Sequence, residues 1–102
     1  MKSAKTKIEL EGDIATVRMQ ITHPMESGRR KDPDSDQVIP AHYIKELTCR
    51  KNDELVLTAQ WGPAVSKNPY LRFMLKGAKR GDQLTIVWLD NKGDSDTIHL
   101  TI

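Results

Sequence analysis

Short apolar runs that alternate with polar residues are the feature that most limits what this chain can fold into. Seven such runs occur, and glycine, proline, asparagine or aspartate, the residues that favour turns, separate them. They cover residues 7–11, 14–22, 43–49, 55–61, 70–76, 84–88 and 98–102. Alternation of this kind indicates half-buried strands, and no stretch shows a convincing helical period. Seven strands in 102 residues predict an all-β, immunoglobulin-like sandwich, with residues 1–102 forming one domain.

The phase of the alternation predicts which side chains face the core. The inward rows are Ala15, Val17, Met19 and Ile21; Leu55, Leu57, Ala59 and Trp61; Leu71, Phe73 and Leu75; Leu84, Ile86 and Trp88; and Ile98, Leu100 and Ile102. Ile44 and Leu47 would lie on opposite faces of a regular strand, so we predict a β-bulge near Lys45 and Glu46. Apolar residues on the opposite face of their strands would suit contact with a partner protein. These are Val56, Met74, Val87 and Leu89.

Composition excludes several classes of function. Sixteen basic and fourteen acidic residues leave a net charge of +2, whereas nucleic-acid-binding domains carry a strong basic excess, so we expect no nucleic-acid partner. No apolar run approaches the roughly 18 residues of a transmembrane helix, so we expect no membrane partner. Residues 1–7 are polar and lead straight into the first strand, so we expect no secretory signal in this chain.

The single cysteine and the three histidines are the candidate nucleophile and metal ligands. Cys49 lies in mid-strand, where a small buried side chain is more common than a reactive thiol. His99 should point outward from the last strand, and His23 and His42 flank the longest irregular stretch. A copper site built from His23, Met25 and His42 is one interpretation, and histidines that hold the stretch by hydrogen bonds are the other. Because no metal-ligand spacing is present, we favour the second and predict no metal and no cofactor.

Carboxylates are scattered through the predicted turns, where they usually serve turn geometry. They are Asp32, Asp34, Asp36, Asp53, Glu54, Asp90, Asp94 and Asp96. No Ser-His-Asp arrangement and no glycine-rich phosphate loop appears in the sequence, so we predict that the chain is not an enzyme.

The stretch from Thr22 to Tyr43 is the longest one without strand periodicity. Loops of this length are usually functional or disordered. Its two ends are partly apolar, at His23-Pro24-Met25 and Val38-Ile39-Pro40, and its middle is charged. We therefore expect anchored ends and a solvated tip.

A second irregular stretch runs from residue 61 to residue 69 and ends in Asn68-Pro69, which favours an extended, rigid entry into the next strand. Tyr70 and Leu71 follow and must point to opposite faces. Tyr70 is either an anchor for a partner protein or a side chain packed beneath the long stretch.

Taken together, these segments resemble the SoxZ family, the Z-type subunits of the bacterial sulfur-oxidation carrier complex. The matching segments are His23-Pro24-Met25-Glu26-Ser27-Gly28, Arg30-Lys31-Asp32, Ile39-Pro40 with His42 and Ile44, Ser66 with Asn68-Pro69-Tyr70-Leu71 and Phe73, and Trp88 with Asp90-Asn91 and Gly93. They occur in the family's order and span nearly the whole chain.

The resemblance implies an immunoglobulin-like sandwich of the E-set type that binds a SoxY-type partner and catalyses nothing itself. In that family the partner carries the sulfur on a cysteine of its C-terminal arm, and it brings the Z-type subunit into the periplasm with its own signal. Other Sox enzymes then bind the complex transiently. We predict the partner-binding residues to be His23, Pro24, Met25, His42, Asn68, Pro69, Tyr70 and Leu71. A charged residue in place of Met25 or Tyr70 should then weaken the complex without unfolding the domain.

Overall fold

Two antiparallel sheets make up the fold in a computed structural model, which describes residues 4–102. The strands are β1 (Ala4–Glu11), β2 (Ile14–Ile21), β3 (Ile44–Lys51), β4 (Glu54–Gln60), β5 (Tyr70–Leu75), β6 (Gln83–Asp90) and β7 (Ser95–Thr101). One sheet has the order β1-β2-β5 and the other the order β4-β3-β6-β7. The predicted all-β sandwich of seven strands is confirmed, and it matches an immunoglobulin-like arrangement in which the A, B and E strands face the C′, C, F and G strands. Among residues 4–102 there is no helix that could cross a membrane.

The core lies between β2 of the smaller sheet and β3 and β6 of the larger one. The predicted inward row of β2 is confirmed, since Val17 and Ile21 are fully buried and Met19 is 1% exposed. Leu47 and Ile86 meet them from the opposite sheet with no exposed surface. Each fully buried aliphatic side chain of this kind contributes about 1.5–3 kcal/mol relative to an exposed one. The alternating pattern therefore specifies both the strands and the face by which the sheets pack.

A bulge in β3 explains how Ile44 and Leu47 can both be buried. The pairing between β3 and β6 shifts between Ile44 and Glu46, which turns Ile44 to the same side as Leu47. The predicted bulge near Lys45 and Glu46 is thus confirmed. The extra residue allows β3 to begin with its apolar face on the core.

A second bulge, between β3 and β4, was not predicted and overturns two predictions. Cys49 pairs with Leu57 but Arg50 pairs with Leu55, so Val56 has no partner across the ladder. The bulge at Val56 reverses the inward–outward alternation of β4. Leu55 therefore lies on the same outward face as Arg50, and it is 48% exposed. The prediction that Leu55 faces inward is therefore wrong. Val56 packs against the core instead of facing a partner.

Candidate functional site

Three connections meet at one end of the sandwich. β2, β4 and β6 all finish there, and β3, β5 and β7 all begin there, as the strand registers require. The connections are residues 22–43, 61–69 and 91–94. We call this end of the molecule the loop end. It holds both irregular stretches that the sequence singles out.

The carboxylate of Asp90, the last residue of β6, is the hydrogen-bonding centre of the loop end. Its Oδ2 accepts hydrogen bonds from Nε2 of His23 at 3.0 Å and from Nε2 of His42 at 2.8 Å. Its Oδ1 accepts from the backbone N–H groups of Lys92 at 3.0 Å and Asp94 at 2.9 Å. One side chain thus ties both ends of the long connection to the β6–β7 turn.

Asp90 remains ionised although it is only 1% exposed. Burial by itself raises the pKa of this carboxyl, but the hydrogen bonds from His23, His42 and the backbone amides of Asp94 and Lys92 outweigh burial and lower the pKa below its usual value. A buried carboxylate with both oxygens satisfied stabilises the fold, whereas one that loses its donors becomes an uncompensated charge.

The ring of His23 is fixed in one tautomer. Its Nδ1 accepts a hydrogen bond from the backbone N–H of Met25 at 3.1 Å, so the proton of the neutral ring lies on Nε2, facing Asp90. The ring also makes edge contacts with His42 and Trp88, with centroids 4.5 Å and 5.4 Å away. His23 is therefore a core residue that shapes the start of the long connection, while the side chain of His42 keeps 23% of its surface exposed.

These contacts also bear on the two interpretations of the histidines. His23, His42 and Asp90 present three possible ligand atoms within 4.8 Å of one another. A metal on Nε2 of His23 would move that ring's proton to Nδ1, where the N–H of Met25 already points; metal-binding histidines normally donate from their second nitrogen. The sulfur of Met25 faces the backbone N–H of Ile44 at 3.3 Å. The geometry therefore favours histidines that hold the loop over a copper site.

The long connection folds back on itself as an irregular hairpin. Glu26 and His42 exchange two backbone hydrogen bonds, and Lys31 bridges to Val38 nearer the tip. The two arms approach closely at Gly28, where a Cβ would lie 3.1 Å from that of Ala41. The stretch from residue 22 to residue 43 is thus an ordered structure rather than a flexible linker.

The ends and the tip of this hairpin differ in burial largely as expected. Met25 is 6% exposed, and the charged tip is solvated apart from the half-buried Asp32. Arg30 pairs at 2.6 Å with Glu26, which lies four positions earlier in the same arm. Val38 departs from the expectation because its side chain is 53% exposed. The second apolar end is held instead by Ala41 and Tyr43, whose backbones bond to the β6–β7 turn.

Asn68 fastens the second connection to the first. Its side-chain oxygen accepts from the backbone N–H of His23 at 3.0 Å, and its own N–H donates to the carbonyl of His23 at 3.0 Å. It does so at a φ of +51°, a left-handed conformation that asparagine tolerates better than most residues. Pro69 is buried directly after it, and Tyr70 emerges at the surface with 61% of its area exposed. The interpretation that Tyr70 packs beneath the long stretch is therefore wrong.

The eight residues predicted to bind a partner fall into three groups by burial. His23, Met25 and Pro69 are buried, His42, Asn68 and Leu71 are half-buried, and Pro24 and Tyr70 are exposed. Their binding role stays a prediction, and the buried ones could act only through the loops they hold. At 6% exposure, a charge at Met25 should disrupt the loop end itself, contrary to the expectation that the domain would be unaffected.

The contacts that Asp90 and Asn91 make at the loop end were not predicted from the sequence. Asp90 was assigned to a turn, and its Oδ1 does cap that turn. Its inward orientation was nevertheless predictable, because Asp90 continues the inward alternation of Ile86 and Trp88. Asn91 bonds the N–H of Tyr43 through its side-chain oxygen at 2.8 Å, and no signal in the sequence pointed to that contact.

Comparisons with known proteins give one family and one fold. The family model "Sulphur oxidation protein SoxZ" matches residues 1–101. A comparison with curated protein sequences found no match.

Among solved structures, a superoxide reductase from Nanoarchaeum equitans aligns with a TM-score of 0.68 at 12% identity, covering 98% of this chain and 91% of that one. A superoxide reductase in the oxidised state gives 0.61 at 20% identity, covering 97% and 86%. A hypothetical protein, PH1083 from Pyrococcus horikoshii OT3, gives 0.59 at 20% identity, covering 99% and 88%. At these identities the likeness concerns the fold alone.

Proposed function

The chain belongs to the SoxZ family of sulphur oxidation proteins, and on that premise we propose that it is a non-catalytic subunit of a sulfur-carrier complex. Its role is to form a rigid base for a SoxY-type partner, whose own cysteine carries the sulfur intermediates. The complex works in the periplasm, which this chain enters together with a signal-bearing partner. The support for the location is the family resemblance of the segments described above.

The state of Cys49 is the observation that carries this proposal. A sulfur carrier needs an accessible thiolate, since the thiolate is the nucleophile. Cys49 is the sole cysteine, its exposed fraction is 0%, and burial raises the pKa of its thiol to about 11. At neutral pH this thiol is protonated and enclosed. A protein of sulfur oxidation with such a thiol fits a supporting subunit better than a carrier.

The outward face of the four-stranded sheet is the surface best suited to a permanent partner. Two adjacent rows cross this sheet, and we call them the neutral face. They are Thr58, Thr48, Val87 and Thr97, and Gln60, Glu46, Leu89 and Ser95. Only Glu46 among them is charged. Lasting interfaces are more apolar and poorer in charge than the remaining surface, which is what a sheet-on-sheet contact here would provide.

Co-expression with a SoxY-type subunit tests the proposal. A tag on this chain should retain the partner through size-exclusion chromatography, and the pair should accept sulfur on the partner's cysteine. Val87→Glu, and Thr97→Glu at an exposed position beside it, should each reduce the amount of partner retained. Charge in the middle of an apolar contact is costly because it is desolvated without a counter-charge.

Met74→Glu is the matched control, because Met74 is 55% exposed on the other sheet and the substitution adds the same charge. Thermal unfolding of each isolated variant separates loss of binding from loss of folding, and Thr97→Glu covers the case in which Val87→Glu unfolds. A chain that stays monomeric beside its partner, or that oxidises thiosulfate unaided, would refute the proposed function.

A further inference from the structure

The outward face of the three-stranded sheet differs sharply from the neutral face. Its half nearest the loop end carries four cations, Lys5, Lys7, Arg18 and Arg72, on three neighbouring strands. We call this half, together with Gln20 and Tyr70, the basic face. Glu9 is the carboxylate that meets these cations, at 2.8 Å from Arg18 and 3.5 Å from Lys7. The four cations and the one carboxylate give this half of the sheet a local charge of +3, which exceeds the net charge of +2 of the entire chain.

Strand register places like charges directly opposite one another on this face. Lys7 pairs with Arg18 across β1 and β2, and Arg18 pairs with Arg72 across β2 and β5. Like charges in opposed positions of a sheet are destabilising. Among residues 4–102, no carboxylate lies within salt-bridge distance of Arg72, whose guanidinium donates a hydrogen bond to the sulfur of Met74 at 3.9 Å. The fold thus tolerates a row of three cations, roughly 10 Å wide, in which Glu9 pairs with Lys7 and Arg18 and no carboxylate of the described residues pairs with Arg72.

An exposed aromatic ring and a shallow concavity accompany the row. Tyr70 is 61% exposed and borders a depression of about 280 Å³. Its other lining residues are Lys5, Thr6, Lys7, Arg18, Met19 and Gln20. Tyrosine and arginine are over-represented among the residues that dominate protein interfaces.

We propose that the basic face is a docking surface for acidic surfaces of the enzymes that act on the carrier complex. The inference rests on the proposed function and assigns transient binding to a face separate from that of the permanent partner. A cluster of carboxylates on a protein can meet all three cations of the row at once, whereas a single small oxyanion reaches about two of them over this width. Electrostatic complementarity of this kind increases the rate of encounter and suits partners that must leave again.

Steady-state kinetics with the assembled carrier as the substrate tests the proposal. We expect Arg72→Glu and Lys7→Glu to raise the KM for the carrier about tenfold each while kcat stays unchanged, because docking is weakened and the chemistry on the partner's cysteine is not. Tyr70→Ala should also raise KM. Arg80→Glu is the matched control, since Arg80 is exposed in the β5–β6 connection and the charge change is the same. KM values for the Arg72 and Lys7 variants equal to that of the Arg80 variant, or a fall in kcat alone, would overturn it.

A second measurement uses the isolated chain and does not depend on the partner. A hexaglutamate peptide should shift the NMR signals of β1, β2 and β5 in the unmodified chain and not in Arg72→Glu. Thiosulfate at the same ionic strength should shift them less; a stronger effect of thiosulfate would reassign the face to small anions and overturn the proposal. Failure of the carrier pair to form in size-exclusion chromatography counts against the proposed function, whereas normal assembly with unchanged KM counts against the docking face alone.

Discussion

Asp90 joins two parts of the chain through the two oxygens of one carboxylate. Oδ1 closes the β6–β7 turn, and Oδ2 holds His23 and His42 from opposite ends of the long connection. The backbone N–H groups of the turn hold the carboxylate through Oδ1, which orients Oδ2 toward the two histidines. This pre-orientation offsets much of the cost of burying a charge.

Asp90→Asn should destabilise the domain by about 2–4 kcal/mol, because an amide group would face donors in place of one carboxylate oxygen and leave buried N–H groups unsatisfied. Urea unfolding measures the change in the free energy of unfolding. Asp94→Asn, at a carboxylate with 72% exposure, is the control and should change that free energy by less than about 0.5 kcal/mol. Equal effects of the two substitutions would contradict the central role of Asp90.

The unmodified chain and Asp90→Asn should differ in how their folding stability depends on pH. The folded-state pKa of Asp90 is lowered, so its stabilisation is complete above the unfolded pKa of about 3.9 and disappears as the pH falls through the lower folded value. The stability difference between the unmodified chain and Asp90→Asn should therefore shrink as the pH falls below about 4. A difference that grew on acidification would reverse this assignment.

At the scale of elements, the long connection is a hairpin held at its base and narrowed at one glycine. Gly28 has a φ of +83° and lies against Ala41 on the opposite arm. Both properties favour a residue without a side chain at this position. The hairpin's shape is therefore specified inside the connection as well as by its contacts with Asp90.

Gly28→Ala should loosen the hairpin and cost about 1–2 kcal/mol, because a positive φ is strained for alanine and the added carbon crowds Ala41. Hydrogen exchange of the Glu26 and His42 amides, which bridge the two arms, reports the local opening. Gly12→Ala is the matched control, since Gly12 also has a positive φ, +62°, but nothing within 4 Å of the added carbon. Faster exchange in both variants alike would show that crowding at Ala41 is unimportant.

Strands and buried rows were predictable from the sequence because period-two alternation is a direct consequence of strand geometry. The bulge near Lys45 was predictable for the same reason, because a regular strand would put the apolar residues Ile44 and Leu47 on opposite faces. The bulge at Val56 was not, because Leu55, Val56 and Leu57 are all apolar and fit either phase. The meeting of His23 with Asp90 depends on a contact across 67 residues, which local patterns do not encode.

At the scale of the whole molecule, the two sheets present outward faces of different chemistry. The neutral face carries seven uncharged side chains and one glutamate, while the basic face concentrates lysine and arginine. Contacts between uncharged groups are not weakened by charge screening, whereas attraction between exposed charges decays over about 10 Å at an ionic strength of about 0.1 M. The two faces can therefore support a lasting association and a reversible one on the same small domain.

Raising the salt concentration from about 50 mM to about 500 mM should separate these associations. The carrier pair should stay assembled in size-exclusion chromatography, while the KM of the enzymes for that pair rises. The rise should be much smaller for Arg72→Glu, which has already lost part of the attraction. Dissociation of the pair by salt, with an unchanged KM, would contradict this assignment. It would indicate that the basic face holds the permanent partner and the neutral face contacts the enzymes.

The bond between His42 and Asp90 spans 48 positions of the chain, and it has a consequence for the order of assembly. A polypeptide leaving the ribosome displays its first hairpin, and then the whole of residues 22–43, well before residue 90 has been synthesised. Closing so long a loop carries an entropic penalty that only the neighbouring strand pairings can offset. The loop end is therefore expected to be completed last, and a chain interrupted ahead of β6 would present two histidines with no carboxylate to receive them.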